Sequence, residues 1–235
     1  MSGNSRSQTA HRLLGHLILG LEKTRQSIRP LAIALFAAAV SCLWASDVAA
    51  AEPHIYMVEE DWELVVGEPK PAIHSPQLSF YLVPSVANPG VYFQLQLNHA
   101  ARQDFAGGGF MVTAVVNEVA HDEAKSDFRT PLAYDGEQLK WTSAMAVMNG
   151  ELLYAIKDGL GSHWGSFGGP DYILRMPAGN IQSLDGYSPQ ESVKSVEIGF
   201  GSNRVTTLVL KKARLHYSNQ EVVEMVLNAT ANESF

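Results

Sequence analysis

Residues Leu139 to Ile156, LKWTSAMAVMNGELLYAI, carry the pattern that decides the fold. Leu139, Trp141, Ser143, Met145 and Val147 occupy alternate positions. Asn149-Gly150 follows at once, and Leu152, Tyr154 and Ile156 alternate away from it. Successive side chains of a strand point to opposite faces, so a period of two marks a strand with one buried face. A two-residue type I′ reversal needs positive φ at both central residues, which Asn and Gly tolerate. The stretch therefore predicts an antiparallel hairpin from Ala144 to Ile156.

The same period recurs on both sides. Upstream, Val58, Trp62, Leu64 and Val66 share one parity while Glu59, Asp61 and Glu63 hold the other. After a turn-rich stretch from Gly67 to Pro76, Leu78, Phe80 and Leu82 alternate with Ser79 and Tyr81. Val91, Phe93, Leu95 and Leu97 alternate with Tyr92, Gln94, Gln96 and Asn98. A glycine triplet, Gly107 to Gly109, leads into Phe110, Val112, Ala114 and Val116. His121 to Arg129 is polar and reads as a loop. Downstream, residues 158–190 are dense in Gly, Pro, Ser and Asp and read as long loops around a short strand, Tyr172 to Met176. Val196–Phe200, Val205–Tyr217 (a long central strand) and Val222–Leu227 read as the closing strands, the last two joined by a turn at Ser218–Gln220. About eight to ten strands with few helices predict an all-β domain, two antiparallel sheets packed as a sandwich.

The first 51 residues read as an address. Basic residues up to Arg29 precede Pro30, an apolar run from Leu31 to Val40 that continues through Cys42, Leu43 and Trp44, and then Ala49-Ala50-Ala51. Basic, apolar, then small residues are the order of a secretory signal peptide, with cleavage expected after Ala51. The apolar run is short of the about 20 residues that a membrane-spanning helix needs. Ala39-Val40-Ser41-Cys42 offers an alternative, lipidation at Cys42, against a loosely matched lipobox. Residues 52–235 are then the exported domain, periplasmic, cell-surface or extracellular.

The formal net charge of −7 divides into +3 over residues 1–51 and therefore −10 over the rest. An acidic domain is a poor partner for nucleic acid, whose phosphates need a basic surface. It suits a neutral extracellular glycan, a cation or another surface protein. Cys42 is the single cysteine, so residues 52–235 have neither thiol chemistry nor a disulfide framework.

Several constellations carry chemistry. On a strand, Glu59, Asp61 and Glu63 share a face, neighbours being about 6–7 Å apart. A retaining glycosidase needs two carboxyls about 5 Å apart, one as nucleophile and one as acid/base. A charged outer face on an edge strand explains the same residues without catalysis. Trp164, Tyr172 and Tyr187, with Asp158, Asp171 and Asp185, lie among loop glycines. Rings with nearby carboxylates suit a sugar, the ring stacking on its apolar face. The same rings would alternatively plug the mouth of the sandwich. The three aspartates, with backbone carbonyls, would also suit calcium, although EF-hand spacing is absent. His54, His74, His99, His121, His163 and His216 lack H-x-H or HExxH spacing, which leaves a zinc site unsupported. Gly161-Ser162-His163-Trp164-Gly165 is not the G-x-S-x-G of a serine hydrolase, and phosphate-binding loops are missing too.

The segment Leu139–Gly169 and the block Val196–Tyr217, VEIGFGSNRVTTLVLKKARLHY, resemble exported bacterial β-sandwich domains related to the concanavalin A-like lectins and glucanases. That resemblance implies a jelly roll and, more weakly, a carbohydrate ligand. Within it, Glu59-Glu60-Asp61-Trp62-Glu63 is similar to the E-x-D-x-E strand of laminarinase-type glucanases, implying Glu59 as nucleophile and Glu63 as acid/base. Glu60 departs from that motif, which has a small aliphatic residue there, and the motif sits near the start of the domain instead of mid-chain. The expectation is a non-catalytic binding or surface-assembly module, with a glycoside hydrolase as the alternative.

Overall fold

The computed structural model describes residues 52–67, 78–85, 87–98, 109–125, 134–194 and 205–231. Ala51, Cys42 and the whole expected address lie outside them, as does the expected strand Val196–Phe200. Among the described residues, eleven strands form two antiparallel sheets packed together. The larger sheet contains β1 (Ile55–Val66), β6 (Glu137–Met148), β7 (Glu151–Gly161), β8 (Ser166–Phe167), β9 (Ile173–Pro177), β10 (Val205–Tyr217) and β11 (Val222–Thr230). Its order is β11-β10-β1-β6-β7, with β8 and β9 both pairing against β7. The smaller sheet is a meander of β2 (Leu78–Leu82), β3 (Val91–Asn98), β4 (Gly109–Val116) and β5 (Val119–Lys125).

The Asn149-Gly150 hairpin joins β6 to β7. Met148 pairs with Glu151 and Ser143 with Ile156, and Asn149 and Gly150 take φ of 54° and 80°. β1 lies between β6 and β10, so its inward side chains are covered from both sides. Val58, Trp62, Leu64 and Val66 are all buried. Trp62 faces Trp141 across β1 and β6, with their rings stacked at 6.4 Å. The two sheets meet through the same core: Phe93 of β3 stacks on Tyr154 of β7 at 5.0 Å. At one seam the Arg175 amide of β9 donates to the Asp122 carboxylate of β5 at 3.0 Å.

Two expectations need correction. Of the expected loop His121–Arg129, residues 126–129 lie outside the described ones, and His121–Lys125 belong to a strand, β5 (Val119–Lys125), turned back from β4 through Asn117 (φ 48°) and Glu118 (φ 67°). Its polarity follows from its place at the edge of the smaller sheet, where most of its side chains face water. Residues 158–190 are also less irregular than expected. β7 continues to Gly161, β8 returns against it, and a 3-10 turn at Pro170–Tyr172 leads into β9. One short helix, α1 (Pro189–Lys194), follows.

Candidate functional site

β1 carries four carboxyls in five residues, and strand alternation sends them to two different environments. Glu59, Asp61 and Glu63 point to the outer face, as their spacing predicts. There the neighbouring strands supply cations. Arg214 of β10 donates through Nε to Glu59 at 2.8 Å and forks both terminal nitrogens onto Asp61 at 2.7 Å each. Lys157 of β7 and His216 of β10 also contact Glu59, His216 at 3.3 Å, and Thr142 of β6 donates to Asp61 at 2.7 Å. Glu63 pairs with Lys140 at 2.9 Å.

This ladder sets the titration. Burial pushes the Glu59 carboxyl up, but hydrogen bonds from His216, Lys157 and Arg214 outweigh it and hold the group far below the usual range. Asp61 is lowered in the same way: Arg214 and Thr142 overcome its desolvation. Lys140 lowers Glu63. A retaining glycosidase needs one carboxyl that keeps its proton near neutrality. Of the three carboxyls that the resemblance puts forward, each is held ionised by a neighbouring strand. Asp61 and Glu63, with Asp158, Lys140, Lys211 and Arg214, line a shallow depression of about 320 Å³ on this face.

The loop aromatics do not form a platform. Trp164, Phe167 and Tyr172 are buried in the common core, and Trp164 packs against Phe167 at 5.3 Å. Tyr187 is half-buried, and its hydroxyl is spent on Glu60. The rings plug the sandwich, the alternative that their size favours. The aspartates are separated too. Asp158 lies exposed on β7, and Asp171 lies exposed in the 3-10 turn. Asp185 accepts the Ile55 amide at 2.7 Å, fastening the start of β1. Among the described residues, no three His, Cys, Asp or Glu side chains come together in a group that could hold a metal ion. Calcium at Asp158, Asp171 and Asp185 therefore has no assembled ligand set.

Two buried carboxyls were not singled out from the sequence. Glu137 is 1% exposed and accepts the backbone amides of His163 and Trp164 at 2.8 and 3.0 Å, pinning the turn after β7. Ser162, His163 and Glu137 look triad-like. However, Ser162 and Glu137 both approach the same nitrogen, His163 Nδ1, at 3.1 and 3.3 Å. A relay needs the serine and the acid on opposite ring nitrogens, so these three cannot activate a nucleophile that way.

Glu60 is the second. It is fully buried on the inner face of β1, where Trp62 Nε1 donates at 2.9 Å and the Tyr187 hydroxyl at 2.7 Å, with Ser192 as a third partner. Burial raises its pKa, and these donors only partly oppose the shift. Glu60 thereby ties the segment Leu184–Lys194 to the core. The tie is reinforced at 2.7 Å by the Leu184 amide donating to the Ile55 carbonyl.

The held segment forms one wall of a cavity of about 330 Å³. Ser188, Glu191, Ser192 and Lys194 line that wall, and Tyr81 and Val83 of the β2 end, with Pro89, line the other. Tyr81 is half-buried, set edge-on to Tyr92 at 5.4 Å, and its hydroxyl accepts from Gln94 at 3.2 Å. Beside it the outer face of the smaller sheet continues with the uncharged polar residues Gln94, Gln96 and Ser79. The cavity lining thus combines tyrosine and apolar side chains with serine hydroxyls and the paired Glu191 carboxylate and Lys194 ammonium (2.8 Å). Compared with protein-family models, curated proteins and solved structures, the chain matches none.

Proposed function

We propose that this chain is an exported, non-catalytic binding module whose ligand is a neutral carbohydrate or similar surface polymer, held in the Tyr81–Ser192 cavity. One observation carries the reading: a half-buried tyrosine and a short row of hydrogen-bonding residues line one concave space of sugar size. An aromatic face packs on the apolar side of a sugar ring while hydroxyls and carboxylates take its hydroxyl groups. The net charge of −10 after residue 51 opposes an anionic polymer and leaves a neutral one unhindered. The basic, apolar and small order of residues 1–51 supports export, with Ala51 as the cleavage position.

The concanavalin A-like jelly roll belongs to the same proposal. Two packed antiparallel sheets support it, as does the order β10-β1-β6-β7, in which a late strand returns beside the first as in a Greek key. The consecutive meander β2 to β5 departs from a jelly roll that weaves between its sheets.

The test is a glycan and insoluble-polysaccharide panel with the exported protein and its Tyr81→Ala variant. Binding to a neutral glycan, weakened about tenfold or more by Tyr81→Ala with the melting temperature held, is the expected result. Binding unaffected by Tyr81→Ala moves the site elsewhere. Silence across the panel leaves the surface-assembly role in place of the carbohydrate one.

A further inference from the structure

β11 closes the larger sheet, and among the described residues β10 is its strand partner. Exposed edges are usually guarded by short length, Lys, Pro or inward charges, because their free N–H and C=O groups template another strand. β11 runs nine residues, VVEMVLNAT, without Lys, Arg or Pro. Its one charge, Glu224, is occupied by Lys212 at 3.0 Å. Val222 and Val226, on the outward face, are 50% and 68% exposed. The other face carries Val223, Met225 and Leu227, all half-buried. At Asn228 (φ 48°) the pairing with β10 shifts register, so the regular part of the edge is Val222–Leu227.

We propose that this edge pairs with a second copy of the chain, antiparallel about a two-fold axis at Met225. The occupant follows from charge and parity. A two-fold axis normal to the sheet keeps each face with its counterpart, so paired positions must share parity. A centre at Glu224 would set two carboxylates directly opposite each other, which is destabilising. A centre at Met225 sets Glu224 against Val226 of the partner subunit and Val223 against Leu227 of the partner subunit. It brings together the half-buried apolar trio of each copy. The self-paired ladder spans five residues, from Val223 to Leu227, and buries less than the about 1,200–2,000 Å² of a stable interface. The dimer is accordingly weak and concentration-dependent.

Sedimentation velocity of the exported protein over a concentration series reads this directly. A reversible monomer–dimer equilibrium is expected. Val226→Glu, which sets a second carboxylate opposite Glu224 of the partner subunit, should weaken it at least about tenfold while leaving the melting temperature unchanged, since that side chain is largely in water. Residues 52–235 contain no cysteine, so Met225→Cys should cross-link into dimers under mild oxidation and Glu224→Cys should not. A monomer at every concentration up to about 1 mM overturns the proposal. So does association indifferent to Val226→Glu, or cross-linking at 224 in preference to 225.

Discussion

Glu59, Glu60 and Asp61 are consecutive carboxyls on alternate faces of β1, and their titration follows the face. Glu59 and Asp61 have folded pKa values below their unfolded ones, so their stabilisation is complete above the unfolded values and is lost as pH falls through the folded ones. Glu60 has the opposite sign. Its folded value is raised, so its contribution is full below its ordinary value of 4.5 and fades as pH rises through the folded value. Glu60→Gln keeps an acceptor for Trp62 and Tyr187 but does not titrate. The variant should gain on the native protein between about pH 4 and about pH 8, by at most about 1.4 kcal/mol per pH unit. Urea unfolding at both pH values checks this, and a pH-independent difference would remove Glu60 from the proton balance. Arg214 joins the outer pair with three hydrogen bonds. Removing a partner from a fully buried ion pair costs about 3–5 kcal/mol. The Arg214 side chain is 23% exposed, which screens part of that, so Arg214→Ala should cost about 1–3 kcal/mol at neutral pH. Arg214→Lys should recover only a fraction, because one ammonium cannot fork onto Asp61. Equal stability of the Lys variant and the native protein would show that the fork contributes nothing.

At the scale of elements, a strand was legible wherever large apolar side chains alternate, even in β6 and β7, where Trp141–Ala146 and Leu152–Ile156 are buried on both faces. The β6–β7 hairpin, β1, β3 and β10 all follow from alternation, and Asn149-Gly150 marks its own turn. β5 escaped because an edge strand buries little, so polarity hid the period. Its turn escaped because Glu118 takes positive φ, which side chains other than Gly, Asn and Asp seldom do. The outward acidic triad was legible by parity, whereas the cations that neutralise it come from β6, β7 and β10. The cavity was not legible at all. Tyr81 and Ser192 are brought together by packing between β2 and a helix far along the chain, which no local pattern records. Glycines of residues 158–190 were read as loop formers, and Gly159, inside β7, has a different role. A Cβ there would lie 2.5 Å from the Phe167 carbonyl oxygen and 2.6 Å from its ring, where β8 crosses β7. Backbone must move to admit it, so Gly159→Ala should cost about 1–3 kcal/mol. Gly150→Ala meets open space and strains only its positive φ, a cost of about 1 kcal/mol. Thermal melts of the two variants should rank in that order, and the reverse ranking would mean that β8 does not seat as described.

At the scale of the whole molecule, the two sheets share one core and the Arg175–Asp122 hydrogen bond at their seam, with no disulfide between them, since Cys42, the single cysteine, precedes residues 52–235. Among the described residues that core is one cluster, reaching from Phe93, Leu95 and Val112 of the smaller sheet to Trp62, Leu139 and Tyr154 of the larger. The buried loop rings Trp164 and Phe167 extend it to the end of β7. One cluster implies one cooperative unit, because neither sheet can lose its partner without exposing its own inner face. Phe93 tests this best. It is 0% exposed, sits on the smaller sheet, and touches the larger one through its stack on Tyr154. Phe93→Ala removes the ring and leaves a cavity between the sheets, at a cost of about 3–5 kcal/mol. The loss should fall on the whole domain: tryptophan fluorescence, which reports on the larger sheet through Trp62 and Trp141, and far-ultraviolet circular dichroism, which reports on both, should shift together to lower denaturant. Reductant should move neither curve. If the variant instead unfolds in two steps, with the fluorescence transition staying at its native midpoint, the sheets are separable and the core is not one unit.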